Sequence, residues 1–152
     1  MTIWPIAELV PHAGDAILLD EVLTFDADTL RARATVRASG PFHLPDNTLA
    51  NWMGLEFMAQ AVAAWAGCHA RAANQPVELG FLLGTRHYEC HLCAFTAGME
   101  LIVDVKRSLQ DDSGMGVFEC KLSSLDRLLA CARLNVYRPP DPSAFMQEQE
   151  PR

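Results

Sequence analysis

A chain of 152 residues, half of them apolar, is long enough to bury one substantial core but short for two typical domains. Its formal net charge of -7 argues against nucleic-acid binding, because neutralising phosphates requires a surplus of Lys and Arg. The N-terminal residues lack the basic segment and apolar run of a secretory signal, which favours a cytoplasmic protein. Reduced, buried thiols are expected for the five scattered cysteines, Cys68, Cys90, Cys93, Cys120 and Cys131.

The first regular pattern follows an apolar stretch over residues 16–23. Residues 29–38 alternate strictly between apolar and polar side chains, with Leu30, Ala32, Ala34 and Val36 on the apolar side. Because successive side chains of a strand point to opposite faces, this period of two predicts a strand with one buried face.

The most apolar segment, residues 49–71, predicts a long helix that begins after the turn and cap residues of the loop 45–48. Up to residue 66 its clearly polar side chains are Asn51, Glu56 and Gln60, so the helix must be enclosed on nearly every side. A membrane span is the alternative, but Glu56 and Gln60 interrupt the apolar run and no basic flank marks an orientation.

Four strand-like runs follow, separated by turn residues, over residues 79–95, 99–109, 115–125 and 127–138. They predict an α+β fold in which an antiparallel sheet wraps the central helix. We expect one domain over residues 1–140 and a loosely ordered tail over residues 141–152, which is rich in Pro, Gln and Glu.

Glu56 is the first candidate for chemistry. An enclosed, unpaired carboxylate is costly, so burial would favour its neutral acid form, which suits a general acid. Gln60, one turn later on the same face, is expected to hold the carboxyl group by a hydrogen bond. The alternative is a structural glutamate that caps a loop or reaches the surface.

His43, in the loop before the helix, is the second candidate. Histidine titrates near neutral pH and is the usual base for removing a proton beside a carbonyl group. A lone loop histidine is more commonly a plain surface residue, so His43 gains its interest from its position before Glu56.

Residues 42–60, FHLPDNTLANWMGLEFMAQ, resemble the (3R)-hydroxyacyl-ACP dehydratases of the FabA/FabZ type, whose loop and helix read HFPxxPVMPGxLxxExMAQ. Residues 9–12 (LVPH) and 18–22 (LLDEV) resemble the family's opening LxPHRxPxLLxDxV. The ApeP-like branch, associated with aryl polyene and related lipid clusters, looks closest because it also lacks the full glycine pattern.

This resemblance implies a hotdog fold, in a homodimer or a heterodimer with a related subunit. His43 of one subunit would face Glu56 of the other across the interface. The implied reaction is dehydration of a 3-hydroxyacyl thioester, borne on the phosphopantetheine of an acyl carrier protein, to the trans-2-enoyl thioester in fatty-acid or aryl-polyene-like biosynthesis. His43 would remove the α proton and Glu56 would protonate the leaving hydroxyl, with no metal or other cofactor.

Further substrate contacts are implied at Asn51, Gln60, Gly80 and Phe81. The backbone at Asn51 would stabilise the thioester oxygen, and the Gly80–Phe81 pair would line the acyl tunnel unless Gly80 is an ordinary strand glycine. Two features depart from the family pattern: Asn51 replaces a glycine, and His43 and Glu56 are thirteen rather than fourteen positions apart.

Two other functions stay open on the same fold. An acyl thioesterase would use Glu56 to activate water, and a non-catalytic subunit would stabilise an active dehydratase partner.

Two further features bear on metal binding and on a carrier-protein partner. The segment HYECHLC, with His87, Cys90, His91 and Cys93, suggests zinc, but strand alternation turns Cys90 away and we predict no metal site. An acidic carrier protein would find its complementary charge on a basic surface formed by Arg86, Lys106, Arg107, Lys121 and Arg127.

Overall fold

A computed structural model describes residues 4–77 and 81–137, with side chains described from 84 onward in the second range. One long helix, α1, spans Gly54–Ala72. Short 3₁₀ turns lie at Ile6–Glu8, Gly14–Ala16 and Asn51–Met53. The strands are β1 (Glu21–Phe25), β2 (Thr29–Thr35), β3 (Leu49–Ala50), β4 (Phe81–Cys90), β5 (Ala94–Phe95), β6 (Glu100–Gln110), β7 (Met115–Ser124) and β8 (Arg127–Tyr137). The predicted tail over residues 141–152 lies outside the described residues.

The strands form a six-stranded antiparallel sheet in the order β1-β2-β6-β7-β8-β4, and β3 pairs separately with β5. The helix packs against one face of the large sheet, with contacts to β1, β2, β4, β6, β7 and β8. The prediction of a central helix wrapped by an antiparallel sheet is therefore confirmed. No helix within the described ranges is long and apolar enough to cross a membrane.

The core lies between α1 and the inner face of the sheet. The alternating apolar residues predicted for β2 are buried, each at most 2% exposed. The same pattern buries Leu101, Val103 and Val105 of β6 and Phe118, Cys120 and Leu122 of β7. Phe57, Met58 and Cys68 of α1 fill the space between them. Period-two alternation thus identified the inner face of the sheet correctly.

The helix begins five residues later than predicted, at Gly54 instead of Leu49. Leu49–Ala50 form β3 by pairing with residues more than forty positions away in the chain, Ala94–Phe95. At the start of α1 the Tyr88 hydroxyl lies so close to Gly54 that a Cβ there would overlap it. A long-range strand pair and this close approach therefore set the boundary, and neither leaves a local sequence signal.

The segment before β1 is fastened along α1. Gln60 is fully buried, and its side-chain Oε1 accepts a hydrogen bond from the Leu18 backbone N–H at 2.8 Å. Its Nε2 donates to the Ala16 carbonyl oxygen at 2.7 Å. Further along the helix, Gly67 lies directly against the Leu9 backbone. These contacts hold residues 9–18 beside the helix, on either side of His12.

The cysteines only partly follow the expectation of buried thiols. Cys68 and Cys120 are buried, Cys90 and Cys131 are half-buried, and Cys93 is exposed because it lies in the turn between β4 and β5. Burial raises the pKa of the Cys68 thiol to about 11 and that of the Cys120 thiol to about 12, from an ordinary value of 9.0.

These shifts predict a loss of stability at alkaline pH. The unfolded chain releases the two protons near pH 9, whereas the folded chain retains them until about pH 11 to 12. Their contribution to the free energy of unfolding is therefore intact below pH 9 and declines as the pH rises towards 11. Urea unfolding between pH 8 and pH 10.5 measures how the free energy of unfolding declines with pH. The decline should be shallower in the Cys68→Ala/Cys120→Ala variant. An equal decline in both proteins would show that the two thiols are not its cause.

Candidate active site

A cleft of about 740 Å³ runs beside α1. On the helix side it is lined by the small side chains of Ala59, Ala63 and Ala66, which recur every three or four residues and so share one face. The opposite wall includes Gln110, Gly116, Phe118 and Val136. The volume lies in the range of cavities that hold small molecules, and the alanines leave room that larger residues would fill.

Glu56 and His12 meet in this cleft. The His12 Nε2 atom lies 3.5 Å from the Glu56 Oε1 atom, and both residues line the cleft. The Glu56 side chain is 37% exposed, so the expectation of an enclosed carboxyl group was wrong. Glu56 lies in the first turn of α1. The structure thus presents the carboxyl group to a cavity, beside a histidine that sequence reasoning did not select.

His43 occupies a different pocket. Its Nε2 atom lies 2.9 Å from the Arg37 carbonyl oxygen, and since a carbonyl can only accept, Nε2 carries the proton. Its Nδ1 atom is buried and has no hydrogen-bond partner among the described residues. The adjoining cavity, which Phe57 also lines, is only about 10 Å³, room for a single water. A single chain therefore does not bring His43 and Glu56 into one cavity.

Two other predicted site residues have backbone partners. Gln60 does not hold the Glu56 carboxyl group as predicted, because its amide is buried against the backbone of Ala16 and Leu18. Asn51 is exposed in the turn before α1, and its carbonyl oxygen accepts a hydrogen bond from the Tyr88 hydroxyl. Burial raises the pKa of Tyr88, which keeps this hydroxyl protonated as a donor.

The predicted contacts at Gly80 and Phe81 cannot be placed in the cleft. Gly80 lies outside the described residues, and only the backbone of Phe81 is described, at the start of β4.

The other end of the cleft is aromatic and polar. The Trp65 ring lies against His69 with centroids 4.6 Å apart and against Phe118 at 5.3 Å. The Arg107 guanidinium stands 5.1 Å above the Trp65 ring and donates to Asp28 at 2.9 Å. His69 is thirteen residues beyond Glu56, about 20 Å along the helix at ~1.5 Å per residue. The cleft thus joins a carboxyl group at one end to an aromatic cluster at the other.

Comparison with known proteins agrees with this architecture. The family model described as ApeP-like, ApeP dehydratase, matches residues 4–147. A structure of the dehydratase heterocomplex ApeI:P from Xenorhabdus doucetiae aligns with a TM-score of 0.86 and 31% identity, over 97% of this chain and 99% of that one. The chain belongs to the ApeP-like dehydratase family.

More distant structures share the hotdog fold of this ApeP-like dehydratase. The PaaI protein of the E. coli phenylacetic acid degradation operon aligns at 14% identity with a TM-score of 0.59, over 77% of this chain and 81% of that one. A hypothetical thioesterase from Streptococcus pneumoniae, solved with coenzyme A, aligns at 11% identity with a TM-score of 0.59. The alignment covers 77% of this chain and 83% of that one. A search of curated proteins finds no match.

The surface of this ApeP-like dehydratase differs from two expectations. The segment HYECHLC was expected to lie in a strand, but β4 ends at Cys90, so His91 and Cys93 lie in a turn. Among the described residues, the ligand-type atoms of His87, Glu89 and Cys131 lie within 4.8 Å of one another.

The five basic residues do not form a uniform basic surface. The strand register places Lys106 opposite Glu119 and Lys121 opposite Asp104 on the outer face, whereas Arg107 lines the cleft, against the Trp65 ring, and is paired with Asp28. The outer face of these strands therefore carries interleaved charge of both signs.

Proposed function

We propose that this ApeP-like dehydratase removes water from 3-hydroxyacyl thioesters carried by an acyl carrier protein. The observation that carries the proposal is the carboxyl group of Glu56, presented to a cleft of about 740 Å³ in a chain of a dehydratase family. The product is the trans-2-enoyl thioester, and the reaction needs no metal or redox cofactor. The substrate would be held on the carrier's phosphopantetheine arm.

In the proposed reaction a histidine removes the α proton, and the electron pair of that C–H bond forms the new double bond. The hydroxyl group leaves from the β carbon as water after it takes a proton from Glu56. The sequence resemblance assigns the base to His43, in a site where His43 of one subunit faces Glu56 of the other. The separation of the two residues within one chain is in keeping with such a shared site.

The aromatic end of the cleft suggests the kind of acyl chain. Trp65, Phe118, His69 and Arg107 line this end of the cleft packed on one another, and together they present an aromatic surface against which a planar acyl end can lie. The roughly 20 Å between Glu56 and His69 suits an extended chain. We propose acyl groups with an aromatic or conjugated end, as in aryl-polyene-like biosynthesis, in preference to short fatty acyl groups.

We also propose that the chain works in a heterodimer with a second hotdog subunit. The related Xenorhabdus structure is a heterocomplex. In this chain Phe42, Leu44 and Trp52 are 37%, 42% and 59% exposed, all in the segment between β2 and α1. Strand β4 is an edge of the six-stranded sheet, and a partner strand would satisfy its free hydrogen-bonding groups.

The test is mass spectrometry of a 3-hydroxyacyl-ACP after incubation with the purified chain, alone and mixed with the Xenorhabdus ApeI subunit. Light scattering first establishes which samples contain a mixed assembly. Loss of one water from the acyl group in either sample supports the dehydratase. If turnover occurs solely in the mixed assembly, at a rate unchanged by Glu56→Gln, this chain is a non-catalytic partner. Release of the free carrier thiol selects the thioesterase. An unchanged substrate in both samples contradicts the proposal.

A further inference from the structure

We propose that His12 is a positioning residue for Glu56, holding one carboxyl oxygen so that the acidic proton points into the cleft. This inference rests on the proposed function and assigns a residue to the same site. Among the described residues, His12 makes the one ion-pair contact with the Glu56 carboxyl group, and its Nε2 atom lies 3.5 Å from Oε1. Both side chains line the cleft, so the pair lies where the acyl group would be held.

The fold fixes His12 at this place. On one side of it, the Leu9 backbone lies against Gly67, and on the other, Ala16 and Leu18 are bonded to Gln60. All of these anchors belong to α1, the same helix that carries Glu56. Moving this segment away from Glu56 would break its close contact with Gly67 and its two hydrogen bonds to the buried Gln60 side chain.

The burial of the His12 ring indicates which nitrogen carries the proton. Its Nδ1 atom is buried and has no hydrogen-bond partner among the described residues. A buried N–H group without an acceptor is costly, so the neutral ring is expected to carry its proton on Nε2, facing Glu56. The His12 side chain is 28% exposed, through the part that borders the cleft.

This geometry sets the direction in which the acidic proton of Glu56 points. When the acid is protonated, the His12 Nε2–H group donates to its carbonyl oxygen, Oε1, and the proton on Oε2 is left to face the leaving hydroxyl. The present 3.5 Å is longer than a formed hydrogen bond, and catalytic hydrogen bonds commonly tighten when the substrate binds. The other titratable groups of the described cleft lining, His69 and Arg107, lie at its aromatic end.

The experiment compares His12→Ala, His12→Gln and His91→Ala in the assembly that shows turnover. His12→Ala should lower kcat by up to about 100-fold with KM within about twofold, because the acid is then misdirected. His12→Gln retains an amide N–H near the position of Nε2 and should recover most of that loss. His91 is exposed and lies outside the cleft, so His91→Ala should match the unmodified protein.

Three results would overturn the role of His12: unchanged kcat in His12→Ala, a change in KM alone, or no recovery in His12→Gln. A second measurement does not depend on turnover. The ¹⁵N signals of the His12 ring should report a proton on Nε2. They should shift in Glu56→Gln but not in Glu119→Gln, since the Glu119 side chain pairs with Arg133 on β8 and lies outside the cleft lining. Unmoved His12 signals would refute the pair even in a protein without dehydratase activity, whereas moved signals with no turnover would refute the proposed function alone.

Discussion

Glu56→Gln should reduce the rate of dehydration by about 1000-fold, since general acid–base groups contribute roughly 10²- to 10⁴-fold. Glutamine has the shape of glutamic acid and accepts the same contact from His12, but it has no acidic proton to give to the leaving hydroxyl. Because the Glu56 side chain is partly exposed in the cleft, the change creates no buried, unpaired group. The measurement is kcat/KM for a 3-hydroxyacyl-ACP, alongside thermal unfolding to establish an intact fold.

Glu119→Gln is the matched control for this prediction. Glu119 lies in β7, inside the sheet rather than at its edge, its side chain is 50% exposed, and its ion-pair partner is Arg133 rather than a cleft residue. The two substitutions remove the same charge from the same chain, so a nonspecific effect of charge would appear in both. If Glu56→Gln retains the full rate in an assembly that turns over, Glu56 is not the acid and the proposed site is wrong.

The strands were predictable because their signal is local. In β2, in residues 101–105 of β6 and in residues 118–122 of β7 an apolar residue occupies every second position, and each of these residues is buried as expected. The central helix was equally evident from its composition. Its first residue was not, because the pairing of Leu49–Ala50 with Ala94–Phe95 depends on a strand that follows the helix.

The candidate site was predictable only where its sequence signal is local. Glu56 stood out as a lone carboxyl group in an apolar helix, and the structure places it in the lining of the cleft. The contact with His12 joins residues forty-four positions apart, so no local pattern could reveal it. The helix was predicted to be enclosed on nearly every side, whereas Ala59, Ala63 and Ala66 face the cleft. Gln60 was predicted to hold the Glu56 carboxyl group, but its partners are the backbone groups of Ala16 and Leu18, which sequence cannot locate.

Gly67→Ala should destabilise the protein by roughly 3 kcal/mol, as overpacking of a tight contact does. Helix propensity alone predicts the opposite sign, since alanine is favoured over glycine by about 1 kcal/mol within a helix. A Cβ at this position would overlap the Leu9 carbonyl oxygen and lie 2.8 Å from the Leu9 Cα atom. These are backbone atoms, which cannot rotate away as the end of a side chain can.

Urea unfolding of Gly67→Ala beside Gly84→Ala measures this effect, because a Cβ at Gly84 meets no atom within 4 Å. An increase in stability for Gly67→Ala would show that the segment at Leu9 is not held against the helix. If the segment is displaced, His12 should also lose its place beside Glu56, since the Leu9 contact anchors the chain three residues before it. The folded fraction of Gly67→Ala should then show the reduced kcat and unchanged KM of His12→Ala. A close glycine contact at one end of the helix would thus determine the orientation of an acid near the other.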